Sequence, residues 1–210
     1  MTPYIVAGII SAFIISILVY TKITKNNKAQ KKGEKGEKTT TRLLNQLPKN
    51  NYMVLNDIFI QNGKYYSQID HIVISKSGIF VIETKNYTGL IFGEESDYQW
   101  TQMIGNNYKG KIINPVRQNL NHIRTLSALL PKTEYHSIIV MGKNASPQVH
   151  SSVPVINHDM LLSTITRHRK AVLTINEMKQ IYDTIIKNNI TSEKARKKYI
   201  KQLQKKYNHQ

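Results

Sequence analysis

Apolar and polar positions divide this chain into one uninterrupted apolar run, a basic stretch, and a longer region of short periodic segments. No residue from Pro3 to Tyr20 carries a charge, whereas Lys22 to Lys35 is polar, basic and free of apolar periodicity. Glu37, Thr40, Leu44 and Leu47 then recur on one face of a predicted helix, which Pro48 ends. Three β-patterned segments follow: Tyr52–Ile60, Tyr65–Ser75 after an Asn62-Gly63 turn, and Gly78–Lys85 after the turn Ser75-Lys-Ser-Gly78. Gly89–Gly93 and Tyr98–Met103 predict a smaller hairpin that carries the only tryptophan, Trp100. Asn114-Pro115 is a helix start, with Asn as N-cap and Pro at the first helical position. Val116, Leu120, Ile123, Leu126 and Leu130 predict its apolar stripe, and Pro131 its end. Short strands are expected at Ser137–Met141 and Val153–Ile156, and helices at Met160–Ile165 and Ile175–Ile186. The order helix, three antiparallel strands, helix, strand describes an α/β domain of mixed α+β character.

The second and third strands place candidate chemistry together. Residues two apart in a strand share a face, so Glu83 and Lys85 project together while Thr84 points away. An even-length loop that pairs Ile74 with Ile79 sets Asp70 across from Glu83 and Gln68 across from Lys85. Their Cβ atoms would then lie about 5 Å apart. Like charges directly opposite one another destabilise a sheet, and a divalent cation between the carboxylates removes that objection. Two carboxylates can hold Mg²⁺ or Mn²⁺ with several waters and so polarise a phosphodiester, with the Thr84 carbonyl as a further ligand. The Lys85 ammonium can position the attacking water and offset charge on the phosphorane. A solvated cross-strand charge cluster is the alternative for the same spacing. Against it, Asp70 and Glu83 are embedded in runs of Ile, Val and Phe.

Two further residues are candidates by position. Glu37 is charged yet lies in phase with Leu44, where it could reach the metal or its water; a first-turn acid that complements the helix dipole is the competing explanation. Gln118 could hydrogen-bond a phosphate or a site water, or could simply be an exposed helical glutamine. The seven histidines show no compact metal spacing, which leaves His71, His122 and His136 as structural or surface groups. Gly33-x-x-Gly36 lacks the Lys-Ser/Thr of a phosphate-binding loop, so no nucleotide cofactor is expected. The absence of Gly-x-Ser-x-Gly weakens any serine-hydrolase reading, and the absence of cysteine excludes disulfides and thiol catalysis.

Charge changes the picture at both ends. A net charge of +17 over 210 residues favours polyanionic partners, either nucleic acid or an anionic membrane. Residues 3–20 would span about 27 Å as a helix, close to a hydrocarbon core of about 30 Å. Tyr4 and Tyr20 sit at its ends, and Lys22, Lys25, Lys28, Lys31 and Lys32 follow. This predicts a single-pass membrane anchor, N-terminus outside and the remaining chain cytoplasmic, rather than a cleaved signal peptide. From Ser192 to Tyr207 seven Lys and Arg residues oppose one acid, Glu193, around the apolar stripe Tyr199, Ile200 and Leu203. This tail is expected to be a cationic helix that contacts nucleic acid or anionic lipid, or a solvated terminus.

Gly33-Glu-Lys-Gly-Glu37, Gln68-Ile-Asp-His71, Gly78-Ile-Phe-Val-Ile-Glu-Thr-Lys-Asn86, Gly89, Trp100 and Asn114-Pro-Val-Arg-Gln-Asn119 occur in an order that resembles the nuclease-related domain, NERD. Domains of that family are similar to the PD-(D/E)xK nucleases, so the resemblance implies a restriction-endonuclease-like αβββαβ core after the N-terminal transmembrane helix. It implies Glu37 as the helix acid, Asp70 as the metal-binding aspartate, Glu83 and Lys85 as the E-x-K pair, and Gln118 as the polar residue of the following helix. The expected division is residues 3–20 transmembrane helix, 21–32 basic juxtamembrane linker, 33–150 nuclease-like domain, 151–190 strand and helices packed on it, and 191–210 basic tail. The expected activity is Mg²⁺- or Mn²⁺-dependent hydrolysis of DNA, with RNA the lesser alternative. The competing class is a non-catalytic module that holds nucleic acid at the membrane.

Overall fold

The computed structural model of the protein describes residues 27, 30–63 and 65–197. The expected transmembrane segment and residues 198–210 lie outside them. Among the described residues no helix is long and apolar enough to cross a membrane.

The architecture is mixed α/β, with two mixed sheets. Helix α1 (residues 30–44) precedes a meander of β1 (Tyr52–Asn62), β2 (Tyr65–Ser75) and β3 (Gly78–Lys85). Lys76 and Ser77 form the loop of the β2–β3 hairpin, whose register pairs Ser75 with Gly78, Ile74 with Ile79 and His71 with Ile82. This is the register expected from the turn. Gly78 has φ of 115°, a conformation that favours glycine. The chain then leaves to build β4 (Gly89–Glu94), β5 (Gln99–Ile104) and β6 (Tyr108–Ile113), and returns through α2 (Pro115–Leu129) to β7 (Tyr135–Met141). Strand β7 lies parallel to β3, as a helical crossover permits. Next come β8 (Ala145–His150), β9 (Val155–Asn157), a 3-10 turn at His158–Met160, α3 (Leu161–Thr166) and α4 (Ile175–Asn188). Strand order is β1-β2-β3-β7-β9 in the first sheet and β6-β5-β4-β8 in the second.

Both faces of the first sheet are covered, so β3 is apolar on both sides and buried from Gly78 to Thr84. On one face Ile72, Ile74, Ile79 and Val81 pack with Leu126 of α2 and with Met178, Ile181 and Ile185 of α4. On the other, Val73, Phe80 and Ile82 meet Leu44 of α1 and Leu161 and Ile165 of α3. A third cluster, Ile91, Trp100, Val116, Ile139, Met141 and Ala145, ties the two sheets together.

Two strands and one helix face differ from the sequence pattern. The sequence pattern predicts no strand at β6 or β8, where Lys109, Gly110, Lys111 and Pro147 interrupt any apolar alternation; both are edge strands, where lysine and proline are tolerated. On α2, Leu120 is 43% exposed, while Asn119 and His122 are buried in its place. The helix therefore turns a partly polar face to the sheet.

Candidate active site

Regular side-chain alternation fails at one place in the first sheet. Leu55 and Ile58 of β1, and Ile69 and Ile72 of β2, all enter the same core cluster although each pair is three residues apart. Such residues lie on opposite faces of a regular strand. The interruption is at Asp57, whose φ of 53° is left-handed, and at Asp70 beside it. Asn56 pairs with His71 and Ile58 with Ile69, but the ladder skips the position between. On the other side, β2–β3 pairing stops at His71 and Ile82. Asp70 thus sits where two ladders lapse, and its carboxylate Oδ2 accepts the Thr84 backbone N–H at 2.8 Å in place of a strand partner. Asp70 is therefore not the ladder partner of Glu83 that the turn predicts, and its side chain reaches β3 at the Thr84 N–H instead.

Glu83 is 1% exposed and held from two sides. Lys85 Nζ lies 2.6 Å from its Oε1, and His122 Nε2 lies 3.1 Å from its Oε2. Burial opposes ionisation of Glu83, yet Lys85 and the His122 hydrogen bond prevail and hold its pKa well below the ordinary carboxylate range. Burial likewise opposes the charge on Lys85, and Glu83 overrides it, so the ammonium stays protonated at neutral pH. Asp70 differs: burial first, then the nearby charge of Glu83, push its pKa well above the usual value, against the pull of Lys85 and the Thr84 N–H. The two acids are therefore unlike: their surroundings lower the pKa of Glu83 and raise that of Asp70.

Helix α1 brings a third acid. A Cβ at Gly36 would lie 2.8 Å from the Asn86 Cβ, so only glycine lets the helix approach the end of β3 this closely. Thr40 Oγ1, one turn on, lies 3.0 Å from Thr84 Oγ1. The approach brings Glu37 to an open cavity of about 190 Å³ that Glu34, Lys38, Thr41, Asn56, Asp57, Asp70 and His71 also line. Burial, then Asp57 and Glu83, raise the Glu37 pKa. Among the described residues no three of His, Cys, Asp and Glu converge as a ready-made metal cage.

The structure thus brings Glu37, Asp70, Glu83 and Lys85 into electrostatic contact, with the Thr84 backbone bonded to Asp70. Gln118 is half-buried on α2, one turn before His122, and its side chain makes no hydrogen bond to the described residues. Sequence reasoning missed Asp57 and His122. The phase His122 shares with Asn119 and Leu126, rather than with Leu120, was the signal available for it.

The sequence pattern of the nuclease-related domain, NERD, matches residues 32–151, more than half of the chain. The chain belongs to the NERD family. An uncharacterized protein of Bacillus anthracis is 33% identical over 207 residues, covering 95% of this chain and 97% of that protein. No solved structure matches it significantly. The NERD match contains α1 from residue 32 onward, the acid-bearing hairpin, the second sheet and α2, hence every residue of the cluster just described.

Proposed function

We propose that this NERD protein is a metal-dependent nuclease that hydrolyses phosphodiester bonds of DNA, with RNA the lesser alternative. The observation that carries the reading is the convergence of acids on one lysine: a buried Glu83 paired with Lys85 at 2.6 Å, and an adjacent Asp70 that lines the open cavity with Glu37 and accepts the Thr84 N–H at 2.8 Å. With both carboxylates ionised, one ammonium leaves a negative charge for a cation to neutralise. The donor set, carboxylates and a backbone carbonyl, suits a hard divalent cation such as Mg²⁺ or Mn²⁺, which binds through one or two carboxylates and otherwise keeps its waters. Asp70, Glu83 and the Thr84 carbonyl would hold it. A cation bound there supplies an acidified water and polarises a phosphate.

The protein's own groups divide the remaining work. A Lys85 kept protonated serves as a donor to a phosphate oxygen rather than as a base. Glu37 lines the open cavity with a raised pKa and is the candidate acceptor for a water proton. Gln118, with a side chain free among the described residues, is available to a phosphate. The element order helix, three strands, helix, strand supports a restriction-endonuclease-like core. Residues 3–20 and the lysines after them support a membrane anchor with the domain on the cytoplasmic side, so that DNA and anionic lipid compete for the linker and tail.

Purified full-length protein should nick supercoiled DNA with Mg²⁺ or Mn²⁺, and Asp70→Ala or Lys85→Ala should lower the rate at least about 100-fold. Equal cleavage by parent and variants would exclude this site. One observation favours a second reading, a non-catalytic nucleic-acid-binding module: both Glu83 oxygens already have protein partners. In that case DNA binding survives chelator and Glu83→Ala, and no variant alters cleavage.

A further inference from the structure

His122 is 5% exposed and lies between two buried polar groups: its Nδ1 is 2.5 Å from Ser67 Oγ and its Nε2 is 3.1 Å from Glu83 Oε2. An ionised carboxylate only accepts hydrogen bonds, so Nε2 carries the hydrogen towards Glu83. In the neutral ring Nδ1 is then an acceptor, and the Ser67 hydroxyl donates to it. Ser67 thereby selects the tautomer that serves Glu83. The order Ser67, His122, Glu83 resembles an acyl-transfer relay, but Ser67 is 5% exposed within β2 and does not line the open cavity, so it is not placed as a nucleophile.

Helix α2 is fixed so that this bridge is rigid. Asn119, one turn earlier, donates from Nδ2 both to the Val81 carbonyl and to Ser137 Oγ, each at 2.8 Å. Lys85, in contrast, is 21% exposed at its side chain and holds the other Glu83 oxygen from the open side. A cation or phosphate that arrives there competes with Lys85, not with His122. We infer that His122 is a positioning residue: it anchors the Glu83 carboxylate by Oε2 and presents Oε1 to whatever replaces Lys85. The inference rests on the nuclease reading above. Outer partners of metal-binding groups are worth about 10–100-fold in affinity or activity.

Mn²⁺ titration by calorimetry and DNA nicking across a Mn²⁺ series test this on full-length protein, with thermal melts of every variant. His122→Leu should weaken the Mn²⁺ midpoint about 10–100-fold and lower kcat, with KM for DNA unchanged. His122→Gln, whose amide N–H can still reach Glu83, should recover most of the loss. Should His122→Leu not fold, Ser67→Ala carries the comparison, with an expected midpoint about threefold weaker. A lowered melting temperature with the Mn²⁺ midpoint unmoved would show a packing role and overturn the inference. So would parent-like midpoints and kcat in the variants while the parent binds Mn²⁺ and cleaves. A parent that neither binds Mn²⁺ nor cleaves overturns the nuclease reading, and this inference with it.

Discussion

Glu83 and His71 lie on adjacent strands, both buried, and respond to acid in related ways. Glu83 has a depressed folded-state pKa, so its contribution to stability is present above the unfolded value and is lost as pH falls through the folded one. Glu83→Gln leaves the Lys85 ammonium without its partner and should cost about 3 kcal/mol at pH 7 by urea unfolding. His71 is 1% exposed; its Nδ1 lies 2.8 Å from Asn56 Oδ1, and its Nε2 has no partner among the described residues. Burial lowers its pKa from 6.5 to about 4. The unfolded chain thus binds the proton more readily, and stability from this residue falls as pH drops from 6.5 towards 4. His71→Gln should flatten that part of the profile by about 2 kcal/mol, read from urea midpoints at pH 7 and pH 4.5. An unchanged slope would assign it to other groups. Glu83 and Lys85 were legible in sequence because strand period puts them on one face of β3, and Asp70 as an acid within an apolar run, but the lapse of both ladders at Asp70 was not. Asp57 was not, because a left-handed aspartate inside a strand leaves no periodic trace, and His122 was missed because the apolar stripe through Leu120 masks the phase it shares with Asn119 and Leu126.

Elements are joined to the cluster through a few polar residues rather than through area alone. Asn114 is 0% exposed and does two things at once. Its Oδ1 caps α2 by accepting the Val116 and Arg117 N–H groups, at 2.9 and 3.4 Å. Its Nδ2 donates to the carbonyls of Glu94, Glu95 and Asp97 in the β4–β5 turn. The cap was expected from Asn-Pro alone; the tie to the second sheet was not, since local sequence does not say which carbonyls come near. Asn114→Ala should therefore cost more than an ordinary cap, about 3 kcal/mol rather than about 1, and Asn114→Asp, which keeps only the acceptor, should recover part of it. Equal destabilisation by both variants would assign the whole effect to the Nδ2 donors. The second sheet was half legible for a similar reason. Trp100 and its hairpin show in the pattern, and the ring packs on Gly93, where a Cβ would lie 2.0 Å from Trp100 Cδ1. The edge strands β6 and β8 carry the polar residues that keep edges from pairing with other chains, and these erase the strand signal.

At the scale of the whole chain, a net charge of +17 contrasts with a cavity lined by four acids, Glu34, Glu37, Asp57 and Asp70. The C-terminal segment connects the two. Asn189 Oδ1 accepts the Phe59 N–H at 2.9 Å, and the Ile190 N–H returns to the Phe59 carbonyl at 2.7 Å, which holds the chain along the edge strand β1. Beyond it Arg196 donates to Asp57 Oδ2 at 2.6 Å and to the Asp57 carbonyl at 3.2 Å. A basic segment is thus tied to an acid of the cavity wall, and under the proposed nuclease reading a phosphodiester entering the cavity would pass beside it. Each phosphate neutralised on duplex DNA contributes about 0.9 to the slope of log affinity against log salt. Deletion after Ile190 removes the seven Lys and Arg residues of the tail and keeps both bonds to Phe59. It should weaken DNA binding and reduce the salt slope by about 2 or more, read by fluorescence anisotropy at 50–200 mM salt. Metal-dependent nicking at saturating DNA should persist, because Asp70, Glu83, Lys85 and His122 keep their partners. A truncated protein with the parental slope would mean that the tail makes no phosphate contacts, and would leave anionic lipid or solvent as its only surroundings.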